Sequence, residues 1–250
     1  MKFFFSRKIF ALKVVVLLLF TNNSNSQTTY KVIYKVEPIL QEKIDDKSES
    51  TKQIVKKIVE YARNTNYVLI ANQKNSIFKK EEQLQIGNKD RLEHIYIKGS
   101  KLFTSFNEKI YTDFENYSII FIRNLLDRNF TVKRSFHEFN WKINDSVKTI
   151  LGLKARNAKG AYYDPISDKK IEVDVWFTPS IPLSAGPDIF MGLPGLIVEI
   201  HLKKAIISVS TIEENIETDI KSLKSNNVLT QEEFENMILK LNSKILKDFN

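Results

Sequence analysis

Residues 175–202, VWFTPSIPLSAGPDIFMGLPGLIVEIHL, constrain the fold more than any other stretch of the chain. Four of the six prolines and three of the seven glycines fall inside it. Proline lacks an amide donor and restricts the residue before it, so the middle of this stretch can be neither helix nor ladder. Its two ends have strand composition, Val173 to Phe177 going in and Leu196 to Ile200 coming out. The stretch therefore reads as a rigid apolar crossing between two core strands. Pro194-Gly195 suits the central pair of a type II turn, where proline presets φ and glycine accepts a positive one. The crossing carries no cysteine, histidine or paired carboxylate.

Within it, Met191-Gly192-Leu193-Pro194-Gly195-Leu196-Ile197-Val198-Glu199-Ile200 forms a distinctive word. Upstream lie Asn140-Trp141-Lys142-Ile143, Thr149 to Ala155 with Gly152, then Trp176-Phe177-Thr178-Pro179, Ile181-Pro182 and Gly186-Pro187. In this order the words resemble the GLPGLI proteins, secreted or envelope proteins of Bacteroidetes without an established activity. The resemblance covers residues 140–202 and the strands before them only loosely. It departs near Gly152, where those proteins usually carry Gly-Tyr and a cysteine but this chain has Leu153 and Ala155. It implies an envelope location and gives Gly192 to Ile197 a structural role, supported by Trp141, Gly152, Trp176, Phe177, Pro179, Pro182, Gly186 and Pro187. It implies no mechanism.

The rest of the chain reads mostly as strand and turn. Tyr30, Val32, Tyr34 and Val36 line one side, with lysines largely on the other, the period of a half-buried strand ended by Pro38. Asp45 to Arg63 has apolar residues at helical spacing, with Asp46 or Ser48 as cap. Tyr67 to Ala71 and Ser76 to Lys79 flank a hairpin turn. Residues 81–100 are polar and read as a loop. Short strands are expected at Leu102 to Thr104, Lys109 to Thr112, Tyr117 to Ile122 (with a helical alternative for Ile119 to Leu126) and Phe130 to Arg134. Others follow at Phe139 to Ile143 and Lys148 to Leu151, then Gly152 to Tyr163 with Gly160 near a turn. Leu196 to Leu202 and Ala205 to Val209 complete the set. Thr230 to Glu233 is a capping box opening a helix to Lys247. The expected fold is α+β: a large curved antiparallel sheet, meander or half-barrel-like, with an N-terminal-region helix and a C-terminal helix.

Residues 1–26 are expected to be an export signal and 27–250 a single domain. Lys2, Arg7 and Lys8 precede an apolar run too short and interrupted to span a bilayer, and Ser24-Asn25-Ser26 offers a cleavage site before Gln27. The chain has no cysteine, so neither a lipoprotein anchor nor a disulfide is expected. Losing Lys2, Arg7, Lys8 and Lys13 lowers the formal charge from +8 to +4, spread in short lysine pairs. That pattern suits a solvated face and no nucleic acid. No second apolar span is present in the mature sequence.

Chemistry is scarce. Glu199 and His201 share a strand face, which a metal or proton relay could use, although the pattern is first of all that of a plain solvated strand face. Asp164, Asp168, Glu172 and Asp174 group around a wet loop. The glycines at 186, 192 and 195 make no phosphate cradle, and no metal-ligand or nucleophile motif occurs, so neither cofactor nor metal is expected. The expected function is a non-enzymatic exported protein that binds an apolar ligand or an envelope partner. Its rival is a hydrolase with Asp174, Glu199 and His201 converging in three dimensions. Mass spectrometry of the exported protein should give Gln27 as the first residue; an intact Met1 in the envelope fraction contradicts the cleavage.

Overall fold

A computed structural model describes residues 28–40, 47–81, 91–125, 128–164 and 167–248. The segment read as an export signal lies outside them. In chain order the elements are β1 (Tyr30–Pro38), α1 (Glu49–Arg63), β2 (Asn66–Ala71), β3 (Asn75–Lys80) and α2 (Arg91–Lys101). Next come β4 (Lys109–Asp113), β5 (Ser118–Leu125), β6 (Arg128–Ser135), β7 (Lys142–Ile150), β8 (Leu153–Asp164) and β9 (Lys169–Thr178). The chain ends with β10 (Leu196–His201), β11 (Ala205–Glu213), β12 (Val228–Thr230) and α3 (Gln231–Asp248).

The strands form one sheet in the order β12-β6-β5-β4-β3-β2-β1-β11-β10-β9-β8-β7. The chain steps outward from β1 to β6, crosses to the far edge, and meanders back from β7 to β11, which pairs with β1. Residues 214–227 then return it to the first edge, where β12 lies parallel to β6. This corrects the expected fold class. The protein is largely β, a broad open mixed sheet with three short helices among the described residues, not an α+β half-barrel. No pairing joins β12 to β7, so the sheet keeps two edges. Nor do helices frame the sheet: α1 follows the first strand, and β12 arrives by a long connection that permits parallel pairing.

Local expectations fail at four further places. The polar loop 81–100 contains α2. It packs on α1 through Gly99, where a Cβ would lie 2.7 Å from Ile58, and through Tyr96, which meets Tyr61 at 5.8 Å, while Leu92 and Ile95 stay exposed. Leu102 to Thr104 is a turn leaving that helix, not a strand. The strand expected from Phe139 begins only at Lys142. Gly160 sits inside β8 rather than at a turn, because Trp141 lies over it: a Cβ there would meet that indole at 2.5 Å. The caps fold as read. Ser48 accepts from Thr51 N, and Thr230 and Glu233 exchange hydrogen bonds at 2.7 and 3.2 Å.

Ladder register explains the core. Val32, Leu69, Phe78, Ile110, Phe121 and Val132 stand side by side across six strands, all at most 5% exposed. Val36, Ile207, Ile200, Val175 and Ala158 continue the same face on the other half. The crossing adds Ile181, Leu183, Phe190, Met191 and Leu193, also buried. Leu183 N donates to Ile181 O and Gly195 N to Leu193 O, each at 2.8 Å, so Pro182 and Pro194 each centre a three-residue turn. That turn is tighter than the expected type II, and Leu196 N donates instead to Ile181 O. Gly195 adopts φ +154°, and a Cβ there would fall 2.2 Å from Thr178 O.

Two glycines with positive φ can therefore be told apart by urea denaturation. Gly152, at φ +76° in the tight β7–β8 hairpin, has nothing within 4 Å of a Cβ. Gly152→Ala should cost about 1 kcal/mol from backbone strain alone. Gly195→Ala adds a backbone collision and should cost about 3 kcal/mol or more. Equal costs would contradict the close approach to Thr178.

Candidate functional site

The residues singled out in sequence lie on two faces of the sheet. On the outer face, Lys35, Ser208, Glu199, Trp176 and Asn157 form one cross-strand row, and Glu37, Ile206, His201, Asp174 and Lys159 the next. Glu199 Oε1 accepts from Lys148 Nζ and from His201 Nε2, both at 2.5 Å, and its Oε2 accepts from Ser208 Oγ at 3.1 Å. Lys148 also sits 4.3 Å above the Trp176 ring. Burial alone would raise the Glu199 pKa, but the Lys148 and His201 hydrogen bonds outweigh it and lower it. Asp174 lies opposite His201 in the ladder, its carboxylate accepting from Asn157 Nδ2 at 2.5 Å with Lys159 at 3.8 Å. Asp174 and His201 open onto a cleft of about 710 Å³ that also meets Lys142, Lys159, Lys170 and Lys203.

Glu199 and His201 thus meet the distance that a base and its orienting partner require. The carboxylate, however, serves three donors at once, and Ser208 donates to it rather than to His201. The arrangement ties β7, β9, β10 and β11 together as a brace. Among the described residues, no group of three or more His, Cys, Asp or Glu could hold a metal.

The words carrying the family resemblance lie in and around the crossing. Gly192 to Ile197 close the crossing: Leu193, Leu196 and Ile197 are buried, and Ile197 N donates to Ala185 O. Trp141 Nε1 donates to Met191 O at 2.8 Å while its ring stacks on Phe139. Gly186 approaches Phe190 O, Pro187 O accepts from Phe190 N, and Pro179 borders Gly195. Phe177 is fully buried in the core, whereas its neighbour Trp176 faces outward under Lys148, so the two do not form one cluster beside the crossing.

A second site went unread in the sequence. At the tip of the crossing, Asp188 takes φ +53° and is buried. Its Oδ1 accepts from Asn107 N at 2.9 Å and Asn107 Nδ2 at 3.0 Å. Arg123 Nη1 donates to Asn107 Oδ1 at 3.2 Å and Ser105 O at 3.0 Å. Burial raises the Asp188 pKa against these bonds. Beside this knot is a cavity of about 360 Å³ walled by Phe121, Phe190, Phe234, Tyr162, Arg134 and Gln231. Arg134, on β6, uses only Nε, which donates to Ser135 O; its terminal nitrogens have no partner among the described residues. Burial pushes its pKa down to about 10. His137 is held down to about 4, first by burial and then by the Arg134 charge. Gln231 Nε2 donates to Glu235 Oε1 at 2.5 Å, leaving Gln231 Oε1 buried and unpartnered. The one local signal was a lone aspartate inside an apolar crossing.

Residues 139–199 match the model of a family described as a protein of unknown function (Porph_ging). The match spans well under half the chain and contains most of the words behind the GLPGLI resemblance, which it supports only loosely. No curated protein matches the sequence. The structure of PNGF-II in space group C2 is similar with a TM-score of 0.48 and 14% identity, over 85% of this chain and 33% of that one. The chain spans a third of that protein's length, and the likeness is too distant to transfer fold or activity.

His137 makes stability pH-dependent. Its folded pKa lies below the ordinary 6.5, so the unfolded chain binds more protons between about pH 6.5 and pH 4, and stability falls as pH falls through that window. Because the ring keeps some contact with water, the loss should be roughly 1–2 kcal/mol, less than the shift alone implies. Urea unfolding at pH 7 and pH 4.5 should show this loss in the wild type and a smaller one in His137→Gln. Parallel slopes would place His137 in water.

Proposed function

We propose that this is an exported binding protein that holds a small polar molecule in the cavity behind Asp188. The observation that carries it is the buried Gln231 Oε1, left without a partner, beside the half-buried Arg134, whose terminal nitrogens make no hydrogen bond among the described residues. A buried polar atom without a partner costs about 1–3 kcal/mol, and a ligand that supplies the missing bond recovers that cost. The expected apolar ligand gives way to a polar one, because both the cavity and the outer cleft are bounded by charged side chains. Export rests on the first 26 residues. No helix among the described residues is long and apolar enough to cross a membrane.

The envelope-partner reading keeps one specific support. β7 is a nine-residue edge strand with Ile143 and Val147 exposed, which suits strand addition by another protein. Its bulge between Ile143 and Val147 and its lysines blunt that edge. The hydrolase reading rests on Glu199 and His201 alone.

Thermal-shift measurements against sugars, amino acids and organic acids should find compounds that raise the melting temperature. Those shifts should vanish in the Arg134→Met/Gln231→Leu double variant and persist in Glu199→Gln. Turnover of any compound, abolished by Glu199→Gln, would replace binding with hydrolysis.

A further inference from the structure

Resting on the binding function just proposed, we infer that the occupant of the Asp188 cavity is a small carboxylate that also carries a hydroxyl or amine donor. The groups around the cavity divide into those already satisfied and those left over. Asp188, Asn107 and Arg123 satisfy one another. What remains is an Arg134 fork with unpartnered terminal nitrogens, a neutral His137 beside it, and a buried acceptor on Gln231. A planar guanidinium fork matches the two oxygens of a carboxylate, and a charge-assisted pair is about twice as strong as a neutral hydrogen bond. Gln231 Oε1 can only accept, so the same ligand must present a donor to it.

Charge selects carboxylate over phosphate. Asp164, Asp188 and Glu235 also line the cavity, and Arg123 is engaged with Asn107. One free arginine facing three acids tolerates a single negative charge far better than a dianion. Size narrows the class further. At ~30 Å³ per atom the space admits on the order of a dozen non-hydrogen atoms, the scale of a hexuronic acid or an aromatic amino acid. The aromatic walls at Phe121, Tyr162, Phe190 and Phe234 offer flat apolar surfaces to either. A carboxylate beside Arg134 also adds negative charge near His137, whose other charged neighbour is Asp164. Binding should therefore raise the His137 pKa and strengthen as pH falls.

The test uses matched probes on the full mature chain: glucuronate, glucose and glucose 6-phosphate, then phenylalanine and its alcohol phenylalaninol. Calorimetry gives affinity, and histidine-selective NMR follows His137. At least one carboxylate should bind tenfold or more tightly than its neutral and phosphorylated counterparts, with an upward shift in the His137 pKa. Arg134→Gln should weaken it at least tenfold, while Arg134→Lys retains part of the affinity. Neutral or phosphorylated probes binding as well as the carboxylates would overturn the ligand class and leave the binding function standing. Carboxylate binding that Arg134→Gln does not change, or that leaves His137 unmoved, would place the anion elsewhere. If no probe binds and native mass spectrometry finds no small molecule on the purified protein, the inference and the binding function both fall.

Discussion

The hydrogen bond from the Tyr34 hydroxyl to Ile197 O, 2.7 Å long and wholly buried, joins the two halves of the protein. Tyr34 lies at the middle of the sheet on the first strand, and Ile197 lies where the crossing turns into β10. The register of β10 against β9 slips there, with Val198 as the extra residue. A bulge leaves backbone groups outside the ladder. At this one, Ile197 O takes the Tyr34 hydroxyl and Ile197 N donates to Ala185 O. Burial raises the Tyr34 pKa well above the ordinary tyrosine value, so it remains a donor at any physiological pH. The position of the crossing, and with it Asp188, follows from this contact.

The two faces of the sheet treat charge in opposite ways. On the outer face, Glu199 is surrounded by donors, and the attraction exceeds the cost of its partial burial. On the core face, Arg134 and His137 lose water without gaining an ion pair; the attraction of Glu235, Asp188 and Asp164 falls short of the cost of burial, and both pKa values fall. A group with all its partners present holds strands together. A group held in place without a partner is the signature of a site awaiting one. This contrast makes the less conspicuous of the two clusters the better functional candidate, even though Glu199 and His201 are easier to find.

Much of the sheet was legible because alternation is local. Tyr30 to Val36 shows in a few residues which side faces the core, Tyr67 to Ala71 and Ala205 to Val209 show their strand composition, and the structure pairs both with the first strand. The α2 helix was not legible. Ile95, Tyr96, Ile97 and Gly99 favour strand or turn, and its helical form accompanies packing against Ile58 and Tyr61 of α1. The strand order was hidden for a similar reason, since nothing in β12 itself says that it lies beside β6. The cavity was hidden most completely. Asn107, Arg123, Arg134 with His137, Asp188 and Gln231 come from five separate segments, and no segment hints at the others.

The seam between β1 and β11 also bears on how the chain reaches its fold. Lys31 pairs with Glu213, 182 residues away, and every strand between them belongs to one meander or the other. Each meander can assemble from near neighbours, but neither can cover its inner edge until the last long strand is in place. Closing so large a loop costs entropy before any contact offsets it, the situation that makes high-contact-order proteins slow to fold. Until then β1 and β11 are open edges lined with Val32, Val36, Ile207 and Val209, the surfaces most prone to pair with another chain. The late seam thus makes the central strands, buried deepest in the finished protein, the ones exposed longest while it forms.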